Sequence, residues 1–213
     1  MLKYDLHTHT NYSKCSNMEP ELLLKIAKKR KLDGIAVTDH HKIEGALKTR
    51  ELNKDKNFEV IIGTEISTRQ GDVLCYYISK KIESLDFFDV VEEVKKQDGL
   101  IVIPHPFRTS TNPHHKFKIP FDKIKNKVDA IECFNSRMLF ESNNNKAEDI
   151  ASRLKMAKTA GSDAHFSFEV ARACTIFDED LRKALKERKT KCIGTRLYGP
   201  FGGLLSFIRN RIY

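Results

Sequence analysis

The chain has 213 residues, 40% of them hydrophobic, and its 38 Lys+Arg against 29 Asp+Glu give a formal charge of +9. That length and apolar share suit one domain with a full core, and no apolar run approaches the roughly 18 residues of a membrane span. The N-terminus lacks a secretory h-region, and the five cysteines (15, 75, 133, 174, 192) are scattered, with no Cys-x-x-Cys. They form neither a disulfide framework nor a zinc ribbon, so the chain reads as a cytoplasmic protein with no membrane contact.

In chain order, Leu2–His9 reads as a strand and Pro20–Leu32 as an amphipathic helix, with Asn17 or Glu19 near its cap and Pro20 in its first turn. The basic run Lys28-Lys29-Arg30-Lys31 falls at the end of that helix, where cations favour the negative pole of the helix dipole. No aromatics interleave it to stack bases, although a basic surface still attracts phosphorylated molecules or nucleic acid. Asp33-Gly34 turns the chain into the strand Ile35–Thr38, and Glu44–Asn53 reads as helix. Glu59–Ile66 and Asp72–Ile78 are strands, and the helix Phe87–Gln97 is stopped by Asp98-Gly99. Leu100–Pro104 is a continuous apolar run, as in a buried parallel strand. Strand Val128–Phe134, helix Lys146–Leu154, strands Lys158–Ala160 and Ala173–Phe177, and helix Asp180–Arg188 follow, with a short helix at Phe201–Ile212.

Strands alternating with helices imply βαβ units and a parallel sheet. About seven strands in one domain suit a barrel, whose active site gathers at the C-terminal ends of its strands. The chemistry-bearing residues fall at those ends. His7 and His9 end the first strand, Thr38-Asp39-His40-His41 the second and Gly63-Thr64-Glu65 the third. Pro104-His105-Pro106 ends Leu100–Ile103, Glu132 lies late in its strand, and Gly161-Ser162-Asp163-Ala164-His165 ends the strand near Thr159. Side chains at i and i+2 of a strand share a face, so Asp5, His7 and His9 are expected to project together, as are Asp163 and His165. Paired imidazoles beside carboxylates form a metal chelate, and this mixture of ligands suits Zn, Mn or Fe better than Ca.

Taken together, Asp-Leu-His-Thr-His at 5–9, Thr-Asp-His at 38–40, Gly-Thr-Glu at 63–65, Pro-His-Pro at 104–106, Glu132 and Gly-Ser-Asp-Ala-His at 161–165 resemble the polymerase and histidinol phosphatase (PHP) superfamily. The resemblance covers essentially the whole chain. It implies an α/β fold, a distorted seven-stranded β/α barrel over 1–213, with residues 166–213 as its C-terminal associated segment and a centre of two or three divalent metals. Carried over by position, it implies that His7, His9, Glu65 and Asp163 hold a first metal. Glu65, His105 and Glu132 hold a second, with Glu65 bridging, and His40 and His165 contribute to a third. Many relatives carry Ser-Asp-Gly where this chain has Ser13-Lys14-Cys15, and that Asp often completes the third site. Two readings follow: Cys15 substitutes as a soft ligand, or the third site is weak or empty and Lys14 holds the substrate phosphate as a point charge.

Other residues suggest substrate or catalytic roles. Arg108 and Arg137 offer planar forks for phosphate, Ser162 and Asn135 lie within reach of phosphate oxygens, and Asp5 suits hydrogen bonding to a ligand imidazole. Asp39 reads either as a catalytic acid beside His40 or in the same supporting role as Asp5. His41 points to the opposite face if its strand continues, and toward substrate, as phosphate binder or general acid, if the strand ends there. The polar segment Arg108–Lys118, with His114 and His115, reads equally as a lid or a solvated loop. The aromatic tail from Tyr198 suits packing on the barrel or a homo-oligomer contact better than a membrane surface.

The implied activity is hydrolysis of phosphate esters of a small metabolite or nucleotide by a metal-activated water. No nucleophile motif or Walker loop competes with it. Three rivals remain: an exonuclease acting on short RNA or DNA ends, a non-enzymatic scaffold or subunit in a nucleic-acid-processing assembly, and a metal-storing or zinc-binding protein.

Overall fold

The computed structural model describes residues 1–109 and 116–212, and in it strands and helices alternate apart from two places where one strand follows another directly. The strands are β1 (Leu2–Thr8), β2 (Gly34–Val37), β3 (Glu59–Thr68), β4 (Gly71–Tyr76), β5 (Leu100–Ile103), β6 (Ala130–Asn135), β7 (Ala157–Gly161), β8 (Ala173–Phe177) and β9 (Lys191–Gly194). The helices are α1 (Pro20–Lys29), α2 (Glu44–Leu52), α3 (Phe87–Lys96), α4 (Phe121–Ile124), α5 (Glu141–Arg153), α6 (Leu181–Glu187) and α7 (Gly199–Ile212). Local chemistry sets several ends. Pro20 opens α1, and Asp86 caps α3 by accepting a hydrogen bond from the Phe88 amide.

All nine strands form one sheet, in the order β7-β6-β5-β4-β3-β2-β1-β8-β9. It curls until β7 meets β1, where the Asp163 amide donates to the His7 carbonyl at 2.8 Å and the His9 amide to the Ala164 carbonyl at 2.8 Å. The result is a nearly closed barrel. The expectation of about seven parallel strands is corrected on two counts. The sheet has nine strands, and it is mixed: β3–β4, β4–β5, β1–β8 and β8–β9 are antiparallel. Thr68 pairs with Gly71, so only two residues join β3 to β4, and so short a loop permits only an antiparallel hairpin. Strand β9 is mostly exposed and has no apolar run, so periodicity gave no sign of it.

Alternation along the strands sorts side chains into two cores. Tyr4, Leu6, Ala36, Ile61, Leu74, Tyr76, Val102 and Ala130 fill one cluster. Ile35, Val37, Ile62, Ile101, Ile103 and Ile131 belong to another, with Leu23 of α1, Val90 of α3 and Ala147 of α5. The first is the barrel interior and the second the layer between sheet and helices. Each fully buried Leu or Ile stabilises the fold by about 1.5–3 kcal/mol. The dry interior acts as a floor, and polar side chains collect above it at the C-terminal strand ends.

Helix α7 crosses that end with an inverted pattern. Ser206 and Gly202 are buried, while Phe201, Leu204, Phe207 and Ile208 are about half exposed. A Cβ at Gly202 would collide with the Glu169 carboxylate, so only glycine allows this approach. Among the described residues, no helix is long and apolar enough to cross a membrane.

Candidate metal centre

Glu65 is the hub of the strand ends. It follows Ile61 and Gly63 on the inward face of β3, and its carboxylate is buried. Oε1 lies 3.1 Å from His105 Nε2. Oε2 lies 3.4 Å from His7 Nε2, 3.4 Å from His9 Nε2 and 3.2 Å from His40 Nδ1. The two oxygens therefore face different groups of imidazoles. Asp163 joins the Oε2 side, with Oδ1 3.6 Å from His7 Nε2, 3.4 Å from His9 Nε2 and 3.5 Å from His165 Nδ1. Glu132 joins the other side. Its Oε1 is 3.0 Å from His7 Nδ1, and its Oε2 accepts from the His105 amide and from Asn135 Nδ2, each at 2.9 Å.

Irregular backbone aims these side chains. The pairing of β1 with β2 shifts register between Asp5 and Thr8, and that of β6 with β7 between Glu132 and Phe134. Such irregularities turn side chains at the rims of barrels. His41, His105 and Asp163 have φ of +56°, +27° and +56°, a region costly for residues with a Cβ and concentrated at functional sites. A Cβ on Gly161 would strike His7 Cβ and come within 2.8 Å of Glu132 Oε1, so glycine is needed where β7 meets β1.

The shift in β1 breaks the expected alignment of Asp5 with His7 and His9. Asp5 instead accepts from the Ser162 amide at 2.8 Å, Ser162 Oγ at 2.5 Å, the Ala171 amide at 2.8 Å and, more weakly, the His7 amide at 3.4 Å. Burial raises its pKa to about 6, against the opposing pull of the Ser162 hydrogen bonds. Asp5 and Ser162 thus lock β1 to the end of β7. Asp39 plays the matching part between β1 and β2, accepting from the Thr10 amide at 2.7 Å, Thr10 Oγ1 at 2.5 Å and Ser13 Oγ at 2.7 Å. Ser13 Oγ also accepts from the His40 amide at 3.0 Å and lies 3.4 Å from His9 Nδ1, so Asp39 acts on those histidines through Ser13.

The electrostatics follow from burial and crowding. For His7, burial favours the neutral ring, but Asp163, Glu132 and Glu65 outweigh it and raise its pKa well above the ordinary value. Burial would raise the pKa of Glu65 and of Asp163, but the surrounding histidines, with Arg137 near Asp163, hold both well below the carboxylate range. His9 Nε2 and His105 Nδ1 are buried with no hydrogen-bond partner among the described residues. Four groups bring ligand atoms within 4.8 Å of one another: His7–His9–Glu65, His7–His105–Asp163, His9–His40–His165 and Glu65–Asp72–His105. His9 Nε2, orphaned and facing the Glu65 and Asp163 carboxylates at 3.4 Å, beyond ordinary hydrogen-bond length, sits in a donor set that fits a borderline divalent cation.

The remaining residues are placed as follows. His40 is partly exposed at the mouth, and His41 Nε2 accepts a long 3.4 Å bond from the Ser67 amide. Arg108 is half-buried, one turn past His105, whose carbonyl accepts from the Arg108 amide at 2.9 Å. Lys14 is exposed beside α7, its carbonyl accepting from Arg209. Cys15 is buried outside the four groups, and burial pushes its thiol up to about 12. Arg137 is buried, with every arm engaged by protein groups. Residues 110–115 of the Arg108–Lys118 segment, including His114 and His115, lie outside the described residues.

Sequence reading missed Asp72, Glu169 and Ser206. Asp72 pairs with Ser67 across the hairpin, which puts it on the face of Glu65, and only recognition of the two-residue turn could have shown this. Glu169 accepts from the His165 and Phe166 amides at 2.9 and 3.1 Å, a local loop contact with no motif of its own.

Known proteins share this chain's family and fold. The uncharacterized protein MJ0417 of Methanocaldococcus jannaschii is 34% identical over 181 residues, covering 84% of this chain and 71% of its own. A two-domain protein from Bacteroides vulgatus, described as containing a predicted PHP-like metal-dependent phosphoesterase, superposes with TM-score 0.76 at 22% identity, over 94% of this chain and 69% of that one. PsfC from Pseudomonas syringae superposes with TM-score 0.71 at 20% identity, over 100% and 99% of the two chains, and at these identities the likeness is one of fold. The PHP domain model matches residues 5–173, a span that holds every member of the four ligand groups, and the chain belongs to the PHP domain family.

Proposed function

We propose that this protein is a metal-dependent phosphoesterase that hydrolyses phosphate esters of a small metabolite or nucleotide. The observation that carries the reading is the division of Glu65, with Oε1 toward His105 and Oε2 toward His7, His9 and His40. A carboxylate so placed suits a bridge between two cations. His7, His9, Glu65 and Asp163 would hold one ion, and Glu65, His105 and Glu132 a second, with Asp72 beside it. Zn, Mn or Fe all suit these donors. Divalent ions bound there lower the pKa of a bound water and offset charge on phosphoryl oxygens.

The other steps belong to side chains. Arg108, at the mouth, donates to non-bridging phosphate oxygens with a planar fork. Ser67 donates to His41 Nε2, leaving Nδ1 as the proton-bearing nitrogen, so His41 can hydrogen-bond the leaving oxygen from Nδ1 while water supplies its proton. Asp39 holds Ser13 and through it fixes His9 and His40. Lys14, exposed near the rim, adds a positive charge that draws the substrate in.

The test is phosphate release by the purified protein with added Mn, against a chelator control. The substrates are mononucleotides, nucleoside bisphosphates, sugar phosphates, histidinol phosphate and a short oligonucleotide. Chelator-sensitive turnover of one class supports the reading and narrows the substrate. Turnover of the oligonucleotide alone, falling steeply with salt, favours the exonuclease. Metal binding with no turnover on any substrate favours the scaffold, a metal-storing protein or a substrate outside the panel.

A further inference from the structure

Arg137 is 7% exposed, and its guanidinium is gripped on three sides. Nε donates to Glu169 Oε1 at 2.9 Å, one terminal nitrogen donates to Ser206 Oγ at 2.8 Å, and the other lies 2.9 Å from His165 Nδ1. Ser206 in turn donates to the Cys15 carbonyl at 3.0 Å. Glu169 and Ser206 are themselves 1% and 6% exposed, so the fork has no room to swing.

His165 Nδ1 has a second close neighbour, the Asp163 carbonyl oxygen at 2.8 Å. A guanidinium nitrogen can only donate and a carbonyl oxygen can only accept, while a ring nitrogen of neutral histidine does one or the other. Both contacts cannot be hydrogen bonds at once. Because two other anchors fix Arg137, the bond that stands is Arg137 to Nδ1. The ring proton then sits on Nε2. In that tautomer Nε2 has no lone pair for a cation, and the lone pair on Nδ1 is already used. The guanidinium charge, 2.9 Å from Nδ1, also disfavours a second cation on the same ring.

We propose that Arg137 withholds His165 from the metal centre. The resting protein presents His7, His9, His40 and His105, and His165 joins as a ligand only when Arg137 lets go and the ring proton moves to Nδ1, where it is donated to the Asp163 carbonyl. Ser206 lies on α7, outside the span matched by the family model, so the seating of α7 controls this release. The inference rests on the metal-centre reading above.

The experiment is long-range ¹H–¹⁵N correlation NMR of the full chain labelled at histidine, titrated with Zn²⁺ alone. Before metal, His165 is expected to show an unprotonated Nδ1 and a protonated Nε2. As the first two equivalents bind, resonances of His7, His9 and His105 should shift while those of His165 stay within their linewidth. Arg137→Gln/Glu169→Gln removes the fork without leaving a lone buried carboxylate. In it, His165 should respond to Zn²⁺, with the weakest binding step tightened about tenfold or more. Arg137→Lys, a second variant that keeps a cation opposite Glu169, should change His165 in the same direction. A His165 tautomer with the proton on Nδ1, or His165 shifting in wild type with the first two equivalents, would overturn the proposal. So would weaker metal binding in both variants, which would make Arg137 a support of the ligand. If no histidine responds to Zn²⁺, the metal-centre reading itself fails, and this inference falls with it.

Discussion

Replacing Glu65 with Gln tests the bridge directly. The amide keeps the size and removes the charge shared by four imidazoles at 3.1–3.4 Å. An ion present at about 100 times its Kd stabilises the folded state by about 2.7 kcal/mol. Each kcal/mol shifts the Tm of a chain this long by about 2–4 °C, so two ions should raise it by about 10–20 °C. If Glu65 serves both ions, Glu65→Gln should lose most of that increment. Glu132→Gln, which touches only the His7–His105 side, should keep about half. Thermal unfolding of each protein with and without Mn, each referenced to its own metal-free Tm, gives the comparison. A metal-induced increment in Glu65→Gln equal to that of wild type, or identical losses in the two variants, would refute the bridging role.

Asp39→Asn should cost about 1.5–3 kcal/mol, because the buried carboxylate accepts three hydrogen bonds, and turnover should fall with KM nearly unchanged; urea unfolding and steady-state kinetics read both. Gly161→Ala should destabilise by about 1–3 kcal/mol through the clash with His7, and a wild-type urea midpoint would contradict that packing. Metal affinity should rise with pH above about 6.5, since His7 is held protonated to a well-raised pKa and must lose that proton to ligate; calorimetry in two buffers of different ionisation enthalpy would show the proton release. By the same linkage, the stability His7 gives the metal-free fold is fully present below about pH 6.5 and lost as pH climbs through the raised value, so metal-free and loaded Tm curves should diverge toward alkaline pH. Arg108→Ala should raise KM for a phosphate monoester by about tenfold, with metal-dependent Tm unchanged.

Much of the site was legible because its signals are local. A pair such as His7 and His9, or an acid closing an apolar run, is visible in a few residues, and strand-end placement gives each a shared destination. The order of those ends along the chain carried the family resemblance. Helix ends were legible for the same reason: Pro20, the Asp98-Gly99 stop and the Lys28–Lys31 run act within one turn or just past it.

Periodicity cannot report which distant groups meet, and there the tertiary structure decided. His7 reaches Glu132 across 125 residues only because the sheet curls until β7 lies against β1. The register shift in β1 turned Asp5 away from the histidines it precedes, and the β3–β4 hairpin brought Asp72 beside Glu65. Arg137 shows the limit most clearly. Its residue type alone suggests a phosphate clamp, and packing against Glu169, His165 and Ser206 gives each of its three side-chain nitrogens a partner within the protein. Sequence determined which candidate ligands exist and at which strand ends; closure of the barrel and the seating of α7 determined which of them face one another, because a hydrogen-bonding direction is fixed only when both partners are held.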